Sequence, residues 1–107
     1  MDKETINRRI SSRNFAENNG SVLRTINLLK TKYNKLKILQ YALNIEKSEI
    51  EKSINYLFEA KYINLRDIES KKPTSLADAE FDEIEGKLTA RGIQLLAGVF
   101  EDECVDI

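Results

Sequence analysis

The stretch Ile54-Asn55-Tyr56-Leu57-Phe58-Glu59-Ala60-Lys61-Tyr62-Ile63-Asn64-Leu65 changes period in its middle, and that change decides the fold. Together with Ile50, the residues Ile54, Leu57 and Phe58 recur at the i, i+4, i+7, i+8 spacing of a helix with one core-facing stripe. Beyond Lys61, Ile63 and Leu65 alternate with Asn64 and Arg66, the two-residue period of a strand. Ile68 falls out of phase and marks a bulge or the end of that strand.

Upstream, Asn34 can cap a helix over 35–44 that turns Ile38, Leu39 and Ala42 inward, with Leu36 and Leu43 flanking. The break Asn44-Ile45-Glu46-Lys47 leaves room only for a tight turn. Ser48 with Glu51 three later reads as a capping box for the next helix, and a turn beginning at Glu46 is the alternative start. Downstream, Ser70-Lys71-Lys72-Pro73-Thr74-Ser75 is loop chemistry, and Ile84, Gly86 and Leu88 alternate as a returning strand. Thr89 caps a last helix in which Ile93, Leu96 and Phe100 share a face, flanked by Leu95 and Val99.

Nearer the N-terminus, Ser21 caps a helix whose stripe is Val22, Ile26 and Leu29 with Leu23 beside it, ending near Lys32-Tyr33. Before it, Ile6, Ile10 and Phe15 stand among Arg8, Arg9 and Arg13, and Asn18-Asn19-Gly20 supplies a helix stop. The organisation expected is a helical arm over 1–19, a domain over 20–100 and an acidic, mobile tail over 101–107.

Composition narrows the function. The 107 residues suit one domain, burying roughly two-thirds of its unfolded surface. There is no His, so imidazole is excluded as base, proton shuttle or metal ligand. Cys104 is the one cysteine and sits among acids, which excludes an internal disulfide and a Cys-based zinc site and disfavours a thiolate. Gly20, Gly86, Gly92 and Gly98 are too scattered for a phosphate loop. The acidic run over 78–85 fails the calcium-loop pattern, because Glu83 occupies the glycine position and Thr89 the closing glutamate position. No enzyme activity, metal or cofactor is therefore expected. Met1-Asp2-Lys3-Glu4 opens no apolar leader, and no apolar run approaches the roughly 20 residues of a membrane helix. The expected setting is cytoplasmic, away from membranes.

Two helices joined by a tight turn and followed by a two-stranded hairpin resemble the winged helix-turn-helix arrangement. The run over 54–63 is similar to the exit from a recognition helix into the wing. Leu88-Thr89-Ala90-Arg91-Gly92-Ile93-Gln94-Leu95-Leu96-Ala97-Gly98 resembles the "L-T-x-x-G-x-x-L-x-x-G" start of the closing helix. The likeness covers about half the chain and is to bacterial transcription regulators of the PadR and MarR type, more loosely to small prophage-encoded winged-helix proteins. It implies a mainly α chain with a small antiparallel β-hairpin (α+β), an N-terminal helical arm and a C-terminal helix. Lys61 departs from the pattern, standing where Gly usually ends the helix in a left-handed conformation. A loop over 69–80, longer and more acidic than usual, departs too.

The resemblance also implies double-stranded DNA as partner and a regulatory role. Turning Ile50, Ile54 and Leu57 inward leaves Ser48, Glu49, Lys52, Asn55, Tyr56 and Glu59 outward. Asn55 suits an adenine edge, while Ser48 and Tyr56 suit phosphates. Lys35 and Lys37 join them from the basic end, since residues 1–37 hold 9 Lys or Arg against 3 acids, whereas residues 63–107 hold 5 against 11. Lys71 and Lys72 at the wing tip are the remaining DNA candidates, and a merely solvated loop is their alternative. Ile6, Ile10 and Phe15 at one end and Ile93, Leu96 and Phe100 at the other either close the core or pair across a two-fold axis, and a homodimer is the favoured expectation. The competing class is an interaction or dimerisation module that keeps the fold without groove contacts.

Overall fold

A computed structural model describes residues 2–28 and 32–107. Its elements are α1 (Lys3–Asn27), β1 (Asn34–Lys35), α2 (Leu36–Leu43), α3 (Lys47–Glu59), β2 (Ile63–Asp67), a 3-10 turn (Phe81–Glu83), β3 (Ile84–Leu88) and α4 (Ala90–Leu96). The fold class is α+β, four helices around a small antiparallel sheet of order β1-β3-β2. No described helix is long and apolar enough to cross a membrane.

The period change near Tyr62 is real. Ile50, Ile54 and Leu57 of α3 are buried, and Ile63 and Leu65 of β2 turn inward beside Ile84, Gly86 and Leu88 of β3. β2 and β3 pair from Ile63↔Leu88 to Asp67↔Ile84, so Ile68 lies just past the strand's end. Lys61 accepts the left-handed conformation, with φ 69°. The backbone N–H of Tyr62 donates to Leu57 O and that of Lys61 to Phe58 O, the paired bonds that close a helix C-terminus. Thr89 caps α4 by accepting from Gly92 N at 3.1 Å. Gly92 itself is fixed by space, because a Cβ there would lie 2.3 Å from Tyr62 O.

Several sequence expectations are corrected. The stop at Gly20 is absent, and α1 runs 25 residues through it. Gly20 serves a close approach instead, since a Cβ would stand 1.7 Å from the backbone oxygen of Asp106. Its small size reads as a helix terminator only while that neighbour is unknown. The tail over 101–107, expected to be mobile, packs on α1: Val105 is buried, Asp106 N donates to Ala16 O at 3.0 Å, and buried Asn19 Nδ2 donates to Cys104 O at 2.8 Å.

Asn34 caps no helix. It pairs with Gly86 in β1, adding a third strand to the expected hairpin, and Lys35 takes the cap position of α2. The capping box does not form, because α3 starts from Glu46, whose carbonyl accepts from Glu49 N and Ile50 N. In α2 the inward phase is Leu36 and Leu39, while Ile38 is 59% exposed. α4 ends at Leu96, short of Phe100, and buries Leu95 in preference to Ile93. The expected core position Leu29 and the cation Lys30 lie outside the described residues.

Candidate nucleic-acid interface

The pair α2–α3 turns over 44–46. Asn44 makes the corner with a left-handed φ of 53°, tolerated because Asn is among the residues most at ease there, and its N–H donates to Gln40 O at 3.0 Å. α3 is then pinned along its buried face, which leaves Ser48, Lys52 and Asn55 on solvent as the sequence places them. Lys52 is not a free cation: its ammonium lies 3.3 Å from Glu49 Oε1.

Tyr56 does not share that outer face, which corrects its assignment. Its ring meets Phe15 edge-on at 5.4 Å, and its hydroxyl donates to Asp102 Oδ2 at 2.7 Å. Burial first, and the Asp102 carboxylate second, push its phenol well above the ordinary tyrosine range. Tyr62 donates to the same oxygen at 2.6 Å, and the same two causes push it up to about 12. Both hydroxyls are thus occupied inside the molecule and unavailable to phosphate.

The loop over 68–83 has two parts. Its first half doubles back on β2: Asp67 N donates to Lys72 O, Lys71 N to Asp67 O, and Arg66 bridges to Pro73. Lys71 has a left-handed φ of 63° and its ammonium lies 3.4 Å from Glu85 Oε2, so one of the two wing lysines is already engaged. Lys72 is exposed. The second half folds toward α2 and α3, where buried Phe81 sits under the ammonium of Lys47 at 5.5 Å. A groove of about 410 Å³ there is bordered by Lys47, Glu51, Asp78, Glu80 and Glu83. Lys37 stands 3.9 Å from Asp82. The loop therefore brings carboxylates beside the N-terminal half of α3, the end that would approach a phosphate backbone.

Sequence reasoning missed a second basic surface, on the outer side of the sheet. Exposed Lys35 pairs with Glu85, and Arg66 pairs with Glu85 from the other strand. The Arg66 guanidinium stacks 3.5 Å above the Tyr33 ring, and Lys87 stands 5.9 Å from the same ring. Glu85 is nearly buried and holds Arg66 and Lys71 together. The signal was the alternation itself: Asn64 and Arg66 in β2, Glu85 and Lys87 in β3, each opposite the inward residues.

At the chain ends, Ile6, Ile10 and Ile93 are 44%, 52% and 50% exposed. Phe15, Leu96 and Phe100 behave differently. Phe15 covers Tyr56, Phe100 stacks on Tyr62 at 6.2 Å, and Leu96 and Phe100 pack on the core. Comparison with family models, with curated proteins and with solved structures finds no match to this chain.

Proposed function

We propose that the chain is a winged helix-turn-helix protein that binds double-stranded DNA, as a regulator of bacterial or prophage type. The observation that carries this reading is the order α1, β1, α2, tight turn, α3, β2, long loop, β3, with α3 offering Ser48, Lys52 and Asn55 to solvent. In that arrangement α3 lies in the major groove, with Asn55 at base edges, and the loop over 68–83 is the wing. Lys35, Lys37 and Lys72 are the phosphate contacts, and Lys87 on the outer side of the sheet extends them. The acids around Lys37 and Lys47 oppose this charge, so affinity is expected to be low and strongly dependent on salt.

A second reading has its own support. Tyr41 is 90% exposed and Ile38 59% exposed, three residues apart on α2 beside the same turn. An apolar pair at that position suits contact with a protein surface, the class of an interaction module without DNA binding.

Fluorescence anisotropy with a labelled random duplex at two salt concentrations separates the two. DNA binding gives a falling log-log salt slope, and Lys52→Glu weakens binding roughly tenfold. Absence of binding at low salt removes the DNA reading and leaves the interaction module.

A further inference from the structure

We infer that the N-terminal half of α1 is a docking arm for a second copy of this chain, and that it seats in the groove between α1, α4 and the tail of that copy. Residues 2–14 are exposed except for half-buried Thr5, along a molecule 50 Å in its longest extent. A helix of about a dozen residues without tertiary contacts is marginal in water, so this half of α1 needs a surface to rest on.

The arm has a face for the purpose. At about 100° per residue Ile6 and Ile10 lie together, with Lys3 and Arg9 within about 60° of Ile6 on either side. Phe15 falls about 180° from Ile6 on the same count, which explains why it joins the core and the isoleucines do not.

The groove fits that face in shape and charge. It encloses about 490 Å³, with apolar walls from Leu96, Phe100, Val105 and Ile107 and a rim carrying Glu101 and Glu103. The segment 98–107 holds four acids (Glu101, Asp102, Glu103 and Asp106) and no cation, whereas residues 2–14 hold Lys3, Arg8, Arg9 and Arg13 against Asp2 and Glu4. Arg13 and Ala16 line the groove and belong to the same helix as the arm. A two-fold axis across α1 near this point lays two copies of the helix antiparallel. Each arm then covers the other copy's groove, in a closed, self-complementary interface. The inference stands apart from DNA binding, and its test reads mass alone.

The test exchanges charge between arm and groove. One variant carries Lys3→Glu and Arg9→Glu, the other Glu101→Lys and Glu103→Lys, all at exposed positions. In sedimentation equilibrium the parent chain is expected at twice the chain mass, and each variant alone is expected to dissociate, with affinity lower by roughly tenfold or more. Mixed in equal amounts, the two variants are expected to recover the dimer, because both arm–groove contacts are again between opposite charges. Circular dichroism checks that each variant folds. A parent chain of single mass, a variant as dimeric as the parent, or a folded pair that stays monomeric on mixing each overturns the proposal.

Discussion

The two ends of this chain exchange the roles their compositions suggest. The N-terminal half of α1 contains Ile6 and Ile10 and holds them out to solvent. The C-terminal segment, four acids among its seven residues from Glu101 to Ile107, lies on the body of the protein with Val105 buried. Apolar content alone does not dock a segment. The tail is held because its polar groups find partners on the body: Asp102 accepts from both Tyr56 and Tyr62, Cys104 O accepts from Asn19 Nδ2, and Arg24 donates to Asp106 O. Among the described residues the arm finds only local partners, the Asp2 cap and the Glu4–Arg8 pair.

The largest test of this contrast is truncation. Removing residues 102–107 exposes the Val105 site and strips several hydrogen bonds, for an expected loss of about 3–5 kcal/mol. In thermal unfolding that is a fall in Tm of more than roughly 10 °C. Removing residues 2–12 is expected to cost less than about 1 kcal/mol when measured on dilute protein. Equal effects would break the comparison.

Gly20→Ala sharpens it through a sign. Helix propensity alone favours Ala over Gly by about 0.5–1 kcal/mol in a helix interior. With the Asp106 carbonyl 1.7 Å from the added carbon, the backbone must move. We expect a net loss of about 1–3 kcal/mol in denaturant titration, and a stabilised variant would mean that the tail is not seated there.

Asp102→Ala comes next, leaving buried Tyr62 and half-buried Tyr56 without their acceptor, for a loss of about 1–3 kcal/mol near neutral pH. Burial raises the Asp102 carboxyl, but the hydrogen bonds from Tyr56, Tyr62 and Cys104 N and the charge of Arg91 outweigh it and hold the group below its ordinary value. A carboxylate with a depressed folded-state pKa contributes stability above its unfolded pKa and loses it as pH falls through the folded one. Parent and variant should therefore converge in urea titrations as pH drops below about 4. A difference that persists unchanged in acid would argue against the carboxylate as the clasp.

The smallest effect belongs to the arm. Asp2 Oδ1 accepts from Thr5 N at 2.8 Å, and caps of this kind contribute about 0.5–2 kcal/mol to their helix. Because no described residue of the same copy covers that end, Asp2→Ala should lower far-ultraviolet helicity slightly and leave the Tm of dilute protein unchanged. A shifted Tm would show the arm coupled to the core.

Much of the fold was legible. The α3 stripe, the alternation along β2 and β3 and the Thr89 cap follow from neighbours within a few residues, where periodicity and side-chain capping act. Of the candidate interface, Ser48, Lys52 and Asn55 were placed correctly, because the helical phase of α3 was set by Ile50, Ile54 and Leu57. Tyr56 was not, since its partners Phe15 and Asp102 lie 41 and 46 positions away. The engagement of Lys71 by Glu85 and the stacking of Arg66 on Tyr33 were hidden for the same reason.

By itself, then, the sequence determined which segments coil, which extend and which side of α3 and of the sheet turns inward, since each depends on a local period of side-chain chemistry. Tertiary structure alone decided whether Gly20 ends a helix or admits a crossing chain, whether Asn34 caps or pairs, and whether an acidic tail floats or binds. Those outcomes turn on contacts between residues distant in the chain, where one carbonyl or one hydroxyl in reach reverses what composition favours.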